Sequence, residues 1–207
     1  MDCQNNRFCR TLSPEARERL CSACFRRSYA KGQVVYRADL ERWIVTVVSG
    51  AMVTPSDFDE GVLDERDRPA FMLETNGLLL GTDSLFVEGL NPHYEFIHYE
   101  CLGDTTLAFF NRDVVRNLFE TDVHFAKMLY QNLIVAAAEA CEFAAMLRVP
   151  NVERSVKFLL EYASRKGFKV TQVQMAQITG HNRTSVARAL KAIRAKYPTL
   201  WEEYESR

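Results

Sequence analysis

The chain has 207 residues, of which 47% are hydrophobic and 26% are charged, and its formal net charge is −1. This length suffices for one sizeable core or for a medium and a small core, and the near-zero total charge indicates no particular class of partner. No apolar run approaches the roughly 18 residues that span a bilayer, and the polar N-terminus MDCQNNRFCR differs from a signal peptide. We therefore expect a cytoplasmic protein whose six cysteines are thiols or ligands rather than disulfides.

The first predicted element is a short helix over SPEARERL (13–20), with Ser13 as the N-cap, Pro14 at the first position and Glu15 in the first turn. From about residue 28 to residue 110 the pattern changes to short β-rich runs separated by Gly, Asn, Asp and Pro. The clearest runs are WIVTVVSGAMV (43–53), FMLET (71–75), YEFIHYECL (94–102) and TTLAFF (105–110). Their spacing predicts a compact antiparallel sandwich or barrel.

A helical period takes over after about residue 111 and continues to Pro150. Apolar residues recur there at Phe125, Leu129, Leu133, Ala136, Ala140, Phe143 and Leu147. The Ala-rich run VAAAEACEFAAM carries few charges, and its small side chains allow a second helix to approach closely. Two interpretations remain open: a helix that lies on the β domain, and a long helix whose second apolar seam forms a homodimer, which we favour. A further amphipathic helix (152–167) ends at Gly167.

The two parts of the chain carry opposite net charge. Residues 151–207 have a net charge of +6, whereas residues 1–150 have a net charge of −7. A basic C-terminal region on an acidic body predicts that a polyanion-binding module lies at the C-terminal end.

The segment TQVQMAQITGHNRTSVARALKAI (171–193) holds two helical patterns with a turn between them. Thr171 can cap the first helix, Gly180 supplies a residue for the turn, and Asn182 can cap the second helix. The apolar side of the first helix is formed by Met175, Ala176 and Ile178, and that of the second by Val186, Leu190 and Ile193. The segment is therefore predicted to be a helix-turn-helix, whose second helix enters the major groove of DNA.

The polar residues of this segment then have predicted roles on DNA. Arg183 and Arg188 can each donate two hydrogen bonds to guanine O6 and N7, and Thr184 lies beside them as a third base-reading residue. The predicted phosphate contacts are Thr171, Gln172, Asn182, Ser185 and Lys191. The alternative is a solvated basic face on an ordinary helical hairpin. The caps, the turn glycine, the apolar spacing and the outer arginines agree with one another and disfavour this alternative.

These residues resemble the DNA-binding helices of the Crp/Fnr family of bacterial transcription regulators. The family pattern of a turn Gly followed by Arg, Thr or Ser, Val and Arg is matched by Gly180, Arg183, Ser185, Val186 and Arg188. YAKGQVVY (29–36) and VVSGAMV (47–53) are similar to glycine-punctuated turns of the family's β-roll. Many members carry Glu where this chain has Thr184, so we expect a different preferred DNA sequence.

The resemblance covers nearly the whole chain and implies an α+β fold with three parts: an N-terminal helix and antiparallel β-roll of the cyclic-nucleotide-binding type (1–110), a dimerisation helix (111–149) and a helix-turn-helix domain (150–207). KYPTLWEEYESR (196–207) is too short for the family's β-hairpin wing and predicts one turn or a short helix, so we expect the wing to be truncated or absent. The implied function is that of a homodimeric regulator, not an enzyme, which binds a two-fold symmetric DNA site and RNA polymerase.

The chain departs from the family pattern at the cyclic-nucleotide site, so we expect an effector other than cyclic AMP. The family's nucleotide site resembles Gly-Glu followed some ten residues later by Arg-Ser, whereas here Gly81 is followed by Thr82 and no Arg lies near His93. The phosphate would lack its counter-charge. An unidentified small effector, apolar or aromatic, is the remaining option, with Gly81, Phe86, Phe96, Leu129 and Glu139 as candidate pocket residues.

Two other sensors or sites stay open as alternatives. An iron–sulfur cluster, as in the oxygen-sensing branch of the family, would use the N-terminal Cys3, Cys9, Cys21 and Cys24, although small buried packing is the simpler interpretation of Cys21 and Cys24. A cupin-like metalloenzyme would use the strand HYEFIHYE (93–100), with His98 and Glu100 on one face and His93 and Glu95 on the other. Two ligands per face are too few, which disfavours the metalloenzyme.

Overall fold

The computed structural model describes residues 6–40, 42–55, 70–86, 98–147 and 149–206. These residues belong to two units. The first contains the described residues up to Met52 together with Glu74–Glu139, and the second contains those of Val53–Leu73 together with Ala140–Arg207. Strands predominate before residue 111 and helices after it, so the predicted α+β fold is confirmed.

The described elements, in chain order, are α1 (Arg7–Arg10), α2 (Pro14–Ser22), β1 (Cys24–Tyr29), β2 (Val34–Tyr36), β3 (Trp43–Ser49), β4 (Met52–Pro55), β5 (Ala70–Glu74), β6 (Leu79–Leu80), β7 (His98–Cys101), β8 (Thr105–Asn111), α3 (Arg112–Thr121), α4 (Val123–Leu147), α5 (Val152–Lys166), α6 (Gln172–Thr179), α7 (Arg183–Lys196) and α8 (Pro198–Glu205). Short 3-10 turns cover Arg37–Leu40 and Thr82–Leu85. None of the helices among these residues is long and apolar enough to cross a lipid bilayer.

The strands form two four-stranded sheets, with the orders β1–β8–β3–β6 and β2–β7–β4–β5. β8 pairs antiparallel with both β1 and β3, and a bulge at Val47–Ser49 shifts the register of β3 against β8. The β-rich runs 43–53 and 105–110 are strands as predicted, and Gly50, with φ of 84°, separates β3 from β4. A Cβ at Gly50 would lie 2.6 Å from the Asp104 carbonyl oxygen, so the tight turn depends on glycine.

The first unit buries two apolar cores. One core joins the N-terminal helices, the β1–β8–β3–β6 sheet and α4, and the ring of Phe8 lies 6.2 Å from that of Phe125 and 6.4 Å from that of Phe110. The other core contains Val45 and Leu107 from this sheet, together with residues of β2 and β7. Because Phe125 and Leu129 belong to the first core, one face of α4 lies on the β-roll.

Three local features differ from the sequence-based expectations. A one-turn helix, α1, precedes the predicted first helix and is capped by Asn6. The first strand begins at Cys24 rather than near residue 28, because β1 pairs along its length with the apolar strand β8. The helix predicted to run on from residue 111 is broken at Asp122, which has an extended backbone and accepts a hydrogen bond from the Phe125 N–H at 3.0 Å. Asp122 therefore ends α3 and caps α4.

The opposite face of α4 is an exposed apolar seam. We define the α4 seam as Tyr130, Ile134, Ala137, Cys141 and Ala144. All five residues are exposed, and the fractions for Tyr130 and Ile134 are 63% and 53%. They alternate at spacings of four and three residues, which is the a and d pattern of a coiled coil. One face of α4 therefore packs on the β-roll, as in the first interpretation of the sequence, and the other is exposed and apolar, as the second interpretation needs.

The second unit contains helices α5 to α8. Leu159, Leu160 and Ile178 are fully buried within it. The predicted short helix near the C-terminus is present as α8, where the buried Tyr204 hydroxyl accepts from the Val170 N–H and donates to the Val170 carbonyl, both at 2.8 Å. This pair of hydrogen bonds attaches α8 to the segment that precedes α6. The described residues after Pro150 are in helices and their connections.

Candidate nucleic-acid interface

Two capped helices and a glycine turn set the local geometry at residues 171–196. Thr171 and Gln174 form a capping box at the start of α6, with the Thr171 N–H donating to Gln174 Oε1 at 2.8 Å. Gly180 ends α6 in the left-handed conformation, with φ of 67°. Asn182 caps α7, because its Oδ1 accepts from the Ser185 N–H at 2.8 Å. Each predicted cap and the turn glycine therefore occupy the expected position.

The inner sides of these two helices are apolar. Met175, Ile178 and Val186 are buried, as are Ala189 and Ile193. Leu190, which was predicted to lie on the inner side, is only half-buried, and Ala189 takes the inward position. This burial fixes the rotation of α7 about its own axis and therefore decides which residues point outward.

The outer side of α7 carries a polar and basic stripe. Thr184, Arg188 and Lys191 are exposed and follow one another at i, i+4 and i+7, so they share one helix face. Arg183 is also exposed, but at about 100° per residue it lies at the edge of this face. The side chains of Arg183, Arg188 and Lys191 make no hydrogen bond or ion pair with any residue that the structure describes. We call Arg183, Thr184, Arg188 and Lys191 the α7 outer face.

Several other basic residues of the second unit have local partners. Lys196 Nζ lies 2.8 and 3.0 Å from the two carboxylate oxygens of Glu153, and this contact raises the pKa of the Lys196 ammonium. The Arg194 guanidinium lies 4.8 Å from the centre of the Trp201 ring. Lys169 donates to the Glu205 carbonyl at 2.8 Å. The basic residues toward the end of α7 thus contact α5 and α8, unlike those of the α7 outer face.

The candidate phosphate-binding residues differ in the donors they retain. Asn182 uses its oxygen for the cap, which leaves its amide NH₂ as a donor. The Gln172 amide donates to the Arg183 carbonyl at 3.2 Å and so links the starts of α6 and α7, a role that the sequence did not indicate. The Thr171 hydroxyl donates to Gln174 Oε1 at 3.0 Å, so a phosphate contact would need this bond to open. Ser185 is half-buried at the first turn of α7.

The residues predicted to form an effector pocket have different environments. Leu129 is fully buried in the core of the first unit, whereas Phe86 is 45% exposed and meets the Phe119 ring edge-on at 4.9 Å. Gly81 has φ of 82°, and Glu139 is half-buried on α4. Phe96 lies outside the described residues, as does His93. The pocket composed of these residues stays a prediction.

Three of the four cysteines proposed as cluster ligands lie within the described residues, and these three occupy apolar surroundings. Cys9 is buried in the same core that Cys21 and Cys24 contact, and Cys3 lies outside the described residues. Cys101 is buried in the other core of the first unit, where burial raises the pKa of its thiol and favours the protonated form. Within the described ranges, no group of three or more His, Cys, Asp or Glu side chains could hold a metal ion. Of the residues considered for a metalloenzyme site, His98 and Glu100 lie on β7, and Glu95 lies outside the residues that the structure describes.

Comparisons with known proteins identify the fold. No protein-family model matches the chain, and no curated protein sequence matches it. Among solved structures, a putative transcriptional regulator of the Crp/Fnr family from Eubacterium rectale has a TM-score of 0.65 at 15% identity, covering 93% of this chain and 88% of that one. FixK2 from Bradyrhizobium japonicum has a TM-score of 0.63 at 20% identity, with 84% and 85% covered. The c-di-GMP-responsive global regulator CLP from Xanthomonas campestris has a TM-score of 0.63 at 17% identity, with 88% and 92% covered. The chain therefore has the fold of the Crp/Fnr transcriptional regulators.

Proposed function

We propose that this protein is a sequence-specific DNA-binding transcription regulator of the Crp/Fnr type. The observation that carries the proposal is the α7 outer face on the second helix of a capped helix-turn-helix: its basic side chains are exposed and have no hydrogen-bond or ion-pair partner among the described residues. A solvated basic face would not require such a fixed geometry, with Gly180 in the turn and the apolar side of α7 buried. The fold shared with Crp/Fnr regulators supports the same function.

Each residue of the α7 outer face has a definite chemistry toward DNA. Arg188, on the centre of the face, can donate two parallel hydrogen bonds to guanine O6 and N7 in the major groove. Thr184, one turn earlier, offers a methyl group to thymine and a hydroxyl to either base. Lys191 provides positive charge for the phosphates beside the groove. Arg183, at the edge of the face, stays a second candidate for reading guanine. The Asn182 amide adds a neutral donor at the N-terminus of α7, where phosphate oxygens are favoured.

The protein acts, in this proposal, as a homodimer on a two-fold symmetric site. The α4 seam supports this arrangement, because an exposed apolar heptad pattern on a 25-residue helix fits a parallel pair of identical helices. Two-fold related α7 helices would enter successive major grooves about 34 Å apart. RNA polymerase is a further proposed partner. We keep the proposal that the effector is not a cyclic nucleotide, since Thr82 is a buried, uncharged residue beside Gly81.

Selection of bound DNA from a random duplex pool tests this function. We expect the full chain to enrich a two-fold symmetric motif whose half-sites are centred about 10 base pairs apart. Fluorescence anisotropy should then give at least about 1,000-fold tighter binding to the selected duplex than to a scrambled one at moderate salt. Failure to enrich any motif, together with equal affinity for both duplexes, would refute sequence-specific regulation.

A further inference from the structure

The first turn of α7 is the part of this helix that would reach base edges, because a recognition helix enters the major groove with its N-terminal residues forward. Asn182, Arg183 and Thr184 are exposed, and the first buried side chain along α7 is that of Val186. The buried apolar contacts of α7 therefore begin at the end of its first turn. The position of Arg183 and Thr184 depends on the helix bonds and on contacts to the backbone of this turn.

Hydrogen bonds to the backbone hold this first turn. One is internal to α7: Asn182 Oδ1 accepts from the Ser185 N–H at 2.8 Å and caps the helix. Another comes from α6: Gln172 Nε2 donates to the Arg183 carbonyl at 3.2 Å. A carbonyl oxygen has two lone pairs, so it can accept this bond in addition to a bond within the helix. The cap shapes the turn, whereas the bond from Gln172 places it relative to α6.

The start of α6 is itself a fixed point. Gln172 is the first residue of α6 and directly follows the N-cap Thr171. The Thr171 carbonyl accepts from the N–H of the buried Met175 at 2.8 Å. The N–H and the carbonyl of Val170 are both bonded to the buried Tyr204 hydroxyl of α8. The backbone on both sides of Gln172 is therefore held, and its amide links a fixed segment to the first turn of α7.

We propose that Gln172 is a positioning residue for base recognition: its hydrogen bond to the Arg183 carbonyl holds the first turn of α7 where Thr184 can meet base edges. The inference rests on the proposed DNA-binding function and goes beyond the phosphate contact predicted for Gln172. A phosphate contact contributes equally on every DNA sequence. A positioning contact changes the discrimination between sequences, because base recognition requires its donors and acceptors to be held in place.

Gln172→Met tests this role, since methionine is as long and as unbranched as glutamine but has no N–H donor. Fluorescence anisotropy with half-site duplexes measures Kd for the selected and the scrambled sequence. We expect the ratio of these two Kd values to shift toward 1 by about three- to tenfold, which corresponds to the loss of one neutral hydrogen bond. Gln177→Met makes the same substitution further along α6 and should leave both Kd values unchanged.

Amide hydrogen exchange, followed by nuclear magnetic resonance on the full chain without DNA, tests the structural step. The Ser185 N–H is bonded to the Asn182 side chain and the Val186 N–H to the Asn182 carbonyl, so both report on the first turn of α7. In Gln172→Met we expect these two amides to exchange about three- to tenfold faster. The amide of Ile193, three turns further on and buried, should exchange at an unchanged rate.

Two results would overturn the proposal. The first is an unchanged Kd ratio in Gln172→Met, whether both affinities fall equally, as for a phosphate contact alone, or neither falls. The second is unchanged exchange of the Ser185 and Val186 amides. Since no DNA is present, the exchange measurement is independent of the selection experiment, so a failure of the regulator function and a failure of the Gln172 link can be told apart.

Discussion

Arg188→Ala should weaken binding to the selected DNA site while leaving the fold intact. Arg188 is exposed and has no hydrogen-bond or ion-pair partner among the described residues, so its removal breaks no internal contact. The expected loss is that of one bidentate arginine–guanine contact, about 1–3 kcal/mol per half-site, or about 5- to 150-fold in Kd. Fluorescence anisotropy with a half-site duplex, at one stated salt concentration, measures the loss directly.

The pattern across sequences distinguishes base reading from charge attraction. Lys191→Ala, one turn further along the same face, should weaken binding to the selected and scrambled duplexes by a similar factor, because phosphates are present in both. Arg188→Ala should lose most on the selected duplex and relax the preference at one base pair. Arg116→Ala, on α3, removes the same charge elsewhere and should change neither Kd. Equal losses on both duplexes for Arg188→Ala would refute the base-reading role.

Three further predictions concern the dimer and the support of α7. Copper-phenanthroline oxidation should join two chains through Cys141, because an a position of a parallel pair faces its equivalent across the two-fold axis, and Cys141→Ser should remain uncross-linked on a non-reducing gel. Tyr204→Phe should lower the free energy of unfolding by about 1–3 kcal/mol in urea titrations, since the Val170 N–H and carbonyl lose their partner. Burial raises the pKa of the Tyr204 hydroxyl. Its contribution to stability is therefore present below pH 10 and is lost as the pH rises through the pKa of the folded state. Unfolding at the same alkaline pH in Tyr204→Phe would contradict this role of Tyr204. Gly180→Ala should destabilise the second unit by about 1 kcal/mol because an alanine in the left-handed region is strained, and an unchanged urea midpoint would refute it.

The sequence carried most of the information about the helix-turn-helix. Its caps are short-range signals: Thr171 and Asn182 each act on a backbone N–H three residues away, so their positions alone suffice to predict them. The break at Asp122 was missed because α3 and α4 are both amphipathic and no Gly or Pro separates them. The half-buried state of Leu190 was missed for another reason: burial on α7 depends on its packing with α5, α6 and α8.

The support of α7 was less predictable because it arises from contacts more distant in the chain. Gln172 and the Arg183 carbonyl are separated by 11 residues, and no motif joins them. The role of Tyr204 depends on its contact with Val170, which only three-dimensional structure defines. For the cysteines, by contrast, the sequence suggested a site that the packing does not favour. Their spacing allowed a cluster, whereas packing places Cys9 within an apolar core.

The basic charge of the C-terminal region overstates the surface that is available to DNA, and the salt dependence of binding can test this. Six of the basic residues contact local acids, carbonyls or aromatic rings: Lys157, Arg165, Lys166, Lys169, Arg194 and Lys196. If only Arg183, Arg188 and Lys191 of each chain displace counterions, a dimer should give a slope of log K against log salt of about −5. If every Lys and Arg of residues 151–207 contributed, the slope would be near −20. A measured slope close to the steeper value would show that DNA contacts extend well beyond the α7 outer face.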